Sequence, residues 1–379
     1  MTRALFLSLF IGACGKGGDD TADTMGAANS LWANGDVTTD MLDVTVIATS
    51  ADGLNEPRDL DFNPGVDGEL WIVNRKDDSA TIVESAGEEG QLTRTVHDPY
   101  ALHFLDSPSS IAFGAVTFPG STYHTFGTCQ ESTNSYNQPG TGNGFMGPSL
   151  WSADPDIFGF SNPEAIDFLG FDLGSHLDML HESPNCMGIT WDEENVYWVF
   201  DGEDGSIVRY DFATDHGVGY DDHSDGIIAR YVIGELSRVK KVVSHIELDL
   251  ASGLLYVADT GNNRVAVLDT ATGERGSNLS SIERGVKHYE MLDASFETLI
   301  DGASAGLEVP AGLALVGDLL LIGDNSQGKI YAYDLDGNEV GSIDTGLNSG
   351  ALMGFEANGL DEVWVTDVSG DRVLRVRLK

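Results

Sequence analysis

A repeated strand pattern limits the folds open to this chain more than its length does. The sharpest copy runs Ser244-His245-Ile246-Glu247-Leu248-Asp249, then Leu254-Leu255-Tyr256-Val257-Ala258-Asp259, then Arg264-Val265-Ala266-Val267-Leu268-Asp269. It reads as strand, turn, strand, polar turn, strand. The same order starts again at Gly188, Pro310 and Gly354. In all four copies the Asp closing the middle strand precedes the next strand's aliphatic residue by the same interval: Asp201/Ile207, Asp259/Val265, Asp324/Ile330 and Asp367/Val373. Looser copies start at Pro57 and Pro108, the second followed by a long interruption. A unit recurring every ~40–60 residues marks a repeat architecture. Six such units predict an all-β, six-bladed propeller over residues 41–379, with insertions at 114–183, 213–230 and 273–300. A ring of blades must not leave a bare sheet edge, so Val44–Ala48 is expected to pair with the C-terminal blade. The four repeated Asp residues are expected to cap turns within their blades.

The stretch VSHIELDLASGLLYVADTGNNRVAVLD closely resembles the NHL repeat, and the resemblance extends in patches over residues 54–378. It implies a six-bladed NHL-type propeller. Function does not follow from it, because such propellers include enzymes, sensors and protein-binding platforms.

The 61 acidic residues against 20 basic ones leave a formal charge of −41. That field repels phosphates and makes nucleic acid an unlikely partner. Calcium, basic partners or a saline environment suit it better.

Met1-Thr2-Arg3 and the apolar run Ala4 to Ala13 have the shape of an export signal and are too short to span a bilayer. The run ends in Ile11-Gly12-Ala13-Cys14, which resembles a bacterial lipobox. The resemblance implies cleavage after residue 13 and lipidation of Cys14, placing the protein in the bacterial cell envelope. Gly15, rather than Asp, follows the cysteine, which points to the outer membrane. Residues 14–40 are small and polar and read as a flexible tether. An oxidising compartment favours a Cys129–Cys186 disulfide, with a thiolate metal site or two buried thiols as alternatives.

Residues that open the innermost strands should converge on the central channel. They are Asp59, Ser110, Gly188, His245, Gly312 and Gly354, with Arg58 and Met187 beside two of them. Arg58, Asp59, Ser110 and Met187 are therefore candidate channel-lining residues. His245 stands where the repeat prefers glycine. Its position resembles that of the zinc-holding histidines in the peptidyl-hydroxyglycine amidating lyase propeller, although the other five openers offer no imidazole. Further soft ligands lie in the insertions. His176 and His181 sit near Met179, Cys186 and Met187, and His223 lies in the acidic segment 215–226. His245, His181, His176 and His223 form the candidate metal set, favouring zinc or copper over calcium. The basic run Arg238-Val239-Lys240-Lys241 could hold an anion at the channel mouth or offset neighbouring carboxylates.

Two functional readings follow. The first is a membrane-anchored platform that binds a protein or small molecule, with a metal at the channel mouth. The second is a metal-dependent lyase or hydrolase using His245 and the insertion-loop histidines. A calcium-dependent lactonase is a third, with Asp59 the one evident channel acid.

Overall fold

The computed structural model describes residues 30–32, 35–133 and 144–379. The expected signal segment, Cys14 and most of the expected tether lie outside the described residues. None of the described helices is long and apolar enough to cross a membrane.

Six sheets form the six blades of a propeller. Their inner strands are Pro57–Phe62, Pro108–Phe113, Cys186–Trp191, Ile246–Asp249, Pro310–Val316 and Leu352–Ala357, and the blades are numbered 1 to 6 in that order. The middle strands are almost wholly buried, as in Leu70–Asn74 and Val196–Asp201. They are rich in β-branched and aromatic residues, which pack on both faces between neighbouring blades. The core is thus a series of apolar layers between blades, Trp71 with Phe126 and Trp151 in one and Trp198 with Phe200 and Leu255 in another.

The N-terminal strand Leu42–Thr49 closes the ring as expected. It pairs antiparallel with Arg372–Leu378 of blade 6, from Leu42 opposite Leu378 to Thr49 opposite Arg372. Three of the repeated Asp residues also act as caps. Asp324 Oδ1 accepts the backbone N–H groups of Ser326 and Gln327, and Asp367 Oδ1 those of Ser369 and Gly370. Asp201 does the same for Glu203 and holds Arg230 as well, whereas Asp259 departs from the expectation: it accepts the N–H of Ser237 from the preceding connection, and holds the side chains of Asn262 and Arg264.

Three features depart from the sequence reading. Residues 114–183 are not simply inserted, because they carry the other three strands of blade 2: Thr125–Gln130, Ser149–Ser152 and Asp178–Met179. Long loops separate these strands and hide their period. Within 273–300, Glu274–Asn278 and Lys287–Leu292 form a hairpin that joins blade 3, with Lys287–Leu292 running parallel to Ile227–Tyr231. Blade 4 then finishes with Phe296–Asp301. Finally, part of the expected tether is packed. Leu31, Trp32 and Val37 are buried in the layer between blades 5 and 6, and Val37 bridges to Ile343. Two large apolar side chains and one valine outweigh the polar composition around them.

Cys129 and Cys186 form a disulfide, with Cα atoms 5.1 Å apart. It joins the second strand of blade 2 to the inner strand of blade 3.

Candidate functional site

Two places gather chemistry-bearing side chains, and they lie at opposite edges of the blades.

The first is the channel mouth, a cavity of about 240 Å³ lined by Asp59, Asp61, His245, Glu247 and Glu356 among apolar walls. Glycine openers let the inner strands crowd together here. A Cβ on Gly312 would stand 2.7 Å from the Met353 carbonyl oxygen, and one on Gly354 would stand 2.8 Å from that of Arg58. Asp59 Oδ2 accepts the Ile111 N–H at 2.9 Å and Asp61 Oδ2 the Phe113 N–H at 2.8 Å, so blade 1 caps the inner strand of blade 2. Burial outweighs these hydrogen bonds and raises both carboxyls to about 7. Burial and mutual repulsion raise Glu247 and Glu356 well above the usual carboxylate range. Burial lowers His245 to about 3. His245 Nε2 lies 3.5 Å from Asp59 Oδ2 but is not aligned for a hydrogen bond and has no other partner.

Of the candidate channel-lining residues, Asp59 lines this cavity and Arg58, Ser110 and Met187 do not. All three are buried beside it: Arg58 reaches back to Glu56 at 3.5 Å, and Met187 packs with Trp198 and Phe200. Asp61, Glu247 and Glu356 were missed. The signal was present, because residues two apart on a strand share a face, and these stand two positions after Asp59, His245 and Gly354. The basic run serves its neighbours: Arg238 pairs with Glu131 at 3.1 Å, and the Lys241 N–H donates to the same carboxylate.

The second place is the rim between blades 2 and 3. Here the blade-3 loop carrying His216 and His223 folds back along the outer edge of blade 2. His216 N–H donates to the Leu177 carbonyl at 3.2 Å, and Gly219 N–H to that of His176 at 2.8 Å. The result is a three-imidazole cluster. One ring nitrogen from each of His176, His216 and His223 lies within 4.8 Å of the others.

In every ring Nδ1 is already engaged. That of His176 meets the Leu173 carbonyl at 2.9 Å, that of His216 the Gly217 carbonyl at 2.7 Å, and that of His223 the Asp178 carboxylate at 2.8 Å. A carbonyl partner requires the proton on Nδ1, which leaves Nε2 with its lone pair. Nε2 of His176 and of His216 is buried without a hydrogen-bond partner. Orphaned acceptors in an apolar site carry a desolvation cost, and anchored Nδ1 atoms with inward Nε2 atoms are the arrangement that orients imidazoles toward a metal. Burial, with repulsion from neighbouring imidazoles, lowers His176 far below its usual value and His216 to about 3. Both are neutral and able to ligate. Burial would also lower His223, but hydrogen bonds to Asp178 and Asp221 outweigh it and push this ring up to about 10. Its Nε2 lies 3.4 Å from Asp221 Oδ1, an exposed carboxylate. Bonds of about 2.1 Å to one metal need N···N separations of roughly 3.4 Å, so the rings would close by about 1.4 Å at most.

The expected metal set is thus split. His176 and His223 come together. His181 lies beside them, its Nδ1 held by Glu283 and its Nε2 3.2 Å from His103 Nε2. His245 belongs to the channel, because it immediately precedes the inner strand Ile246–Asp249 and lines the channel cavity, while the others lie around the outer edges of blades 2 and 3. His216 completes the cluster and was missed, because the docking of its loop is a non-local event. A cavity of about 430 Å³ opens beside it, lined by His216, Phe168, Tyr220, Asp221 and Asp225.

No protein-family model and no curated protein matches the sequence. Solved structures do resemble the fold. An auxiliary nutrient binding protein from Bacteroides thetaiotaomicron aligns with a TM-score of 0.52 at 10% identity, over 88% of this chain and 76% of that one. A protein of unknown function from the same organism aligns at 0.51 and 11% identity, over 89% and 76%. Regucalcin from Agrobacterium tumefaciens, a calcium-binding protein, aligns at 0.50 and 11% identity, over 88% and 94%. At such identities the likeness shows a six-bladed propeller and nothing about activity.

Proposed function

We propose that the protein is an NHL-type propeller of the bacterial cell envelope that acts as a ligand-binding platform. Its ligand is taken at the blade 2–blade 3 rim through a transition metal, zinc or copper, held by His176, His216 and His223. One observation carries this reading: a ring nitrogen from each of three imidazoles lies within 4.8 Å of the others, and two of these rings, His176 and His216, have an anchored Nδ1 and a buried Nε2 without a partner. Three imidazoles leave a fourth coordination position, and a bound metal there supplies Lewis acidity to a ligand oxygen or nitrogen. Phe168 and Tyr220 offer apolar surface to the rest of the ligand, and Asp221 and Asp225 favour a cationic or hydrogen-bond-donating part. Metal content by mass spectrometry and zinc titration test the site. About one zinc or copper per chain is expected, falling below a tenth of that in His216→Ala. Wild-type protein that neither carries nor takes up metal, or a variant that takes it up equally well, rejects the reading.

Asp221, whose Oδ1 lies 3.4 Å from His223 Nε2, supports a second reading, a metal-dependent hydrolase or lyase with Asp221 as base. Turnover of an ester or lactone panel that is lost in Asp221→Asn would favour it.

The envelope location rests on the lipobox-like Ile11-Gly12-Ala13-Cys14, and the disulfide supports an oxidising compartment. Cys14→Ser is expected to release a folded protein into the soluble fraction. Retention of that variant in membranes rejects lipid anchoring.

A further inference from the structure

The channel mouth holds Asp59, Asp61, Glu247 and Glu356, and neither a lysine nor an arginine lines it. Its one basic side chain, His245, is kept neutral by burial, lines the same cavity, and has an Nε2 that is buried without a hydrogen-bond partner. Asp59 and Asp61 have a structural task, the capping of Ile111 and Phe113. Glu247 and Glu356 have none of that kind. The Glu356 carboxylate accepts only the N–H of the next residue, Ala357. Four carboxyls gathered in so small a space raise one another's proton affinity, and once ionised they repel one another unless a cation occupies the space.

The spacing bears on which cation. Among the described residues only the rim histidines bring three ligand atoms within 4.8 Å of one another, so these carboxyls are not gathered tightly enough to chelate a bare metal ion. The walls also include the rings of Phe113, Trp191 and Phe355. Aromatic faces beside separated carboxylates suit an ammonium group carried on hydrocarbon: the charge meets carboxylates and ring faces, and the carbon chain meets the apolar walls.

We propose that the channel mouth is a second binding site, independent of the rim metal centre, that takes a small alkylammonium ligand. Glu247 and Glu356 face its charge, and the neutral His245 imidazole lines the same space. The titratable groups facing the ligand are the four carboxyls and His245, with the buried Tyr197 behind Asp61.

Calorimetric titration of the full chain with butylammonium and with 1,4-diammoniobutane, alongside calcium, tests the site, with the emission of Trp191 as a local readout. Binding is expected at pH 8 and at least tenfold weaker at pH 5, where the carboxyls are protonated. The double variant Glu247→Gln/Glu356→Gln removes charge without removing a strand cap, and circular dichroism checks that it folds. It should bind at least tenfold more weakly, while zinc uptake at the rim stays unchanged. Silence of both amines at pH 8 overturns the proposal, as does equal binding by the double variant. Saturable calcium binding that the variant abolishes, with both amines silent, would make the channel a metal site and overturn it too.

Discussion

Asp178 Oδ1 lies 2.8 Å from Nδ1 of His223, and that contact fixes the orientation of the ring beside His176 and His216. The carboxylate also accepts the Met179 N–H at 2.7 Å, so its own position is fixed by the backbone of the strand it belongs to. Asp178→Asn should leave the fold intact and weaken zinc binding by about 10–100-fold, the usual cost of losing an outer carboxylate partner. Competition titration against a chelator of known affinity measures this. Unchanged affinity would mean that His223 is not a ligand.

Reduction of the disulfide should lower stability substantially. Cys129 and Cys186 are separated by 57 positions, and opening a loop of that length releases roughly 4 kcal/mol of denatured-state constraint on the chain-entropy model. Chemical denaturation with and without reductant should give clearly separated midpoints, and Cys129→Ala/Cys186→Ala should follow the reduced curve. Coincident curves would contradict this.

The channel acids set a pH dependence of stability. Burial pushes Asp59 and Asp61 up to about 7 in the folded protein, above the ordinary carboxylate value. A carboxyl raised in this way contributes stability that is fully present below the unfolded value and lost as pH rises through the folded one. Between pH 4 and pH 7 the two should therefore make stability fall. Asp61→Asn keeps an oxygen to accept the Phe113 N–H but cannot ionise, so the melting temperature of the variant should gain on that of wild type across this interval. A constant difference between the two profiles would show that Asp61 titrates normally.

Trp32 is buried between blades 5 and 6, and Trp32→Ala should destabilise the propeller by about 3–5 kcal/mol. An anchoring role predicts a lower denaturation midpoint with an unchanged rim-zinc affinity. An unchanged midpoint would restore the reading of this stretch as free tether.

The sequence carried the blades unevenly. Blades 3 to 6 were legible because an Asp closing the middle strand repeats in each, and in blades 4 and 6 an Arg at a fixed distance binds it, Arg264 to Asp259 and Arg372 to Asp367, both at 2.7 Å. Such local chemistry leaves a local signature. Blade 2 lacks it: its last strand is the two residues Asp178–Met179, reached after a long excursion. The hairpin Glu274–Asn278 with Lys287–Leu292 is largely exposed on its outer strand and pairs with a blade other than the one whose strands flank it in sequence, so its hydrophobic pattern names no partner. The sites divide in the same way. His176 and His223 could be suspected from residue type, but their union with His216 depends on loop 213–226 docking on blade 2. Glu247 and Glu356 could have been read from the two-residue period of an inner strand.

That hairpin also bears on how the ring comes apart. Propeller blades ordinarily touch neighbours through side chains alone, so each can loosen separately. Here the backbone leaves blade 4 after Asp269, hydrogen-bonds along blade 3, and returns at Phe296 to complete blade 4. Neither blade can lose its outer edge without disturbing the other. Amide hydrogens of the two should therefore exchange with solvent as one cooperative unit, more slowly than those at the outer edge of blade 5, and the first breach in the ring should open elsewhere.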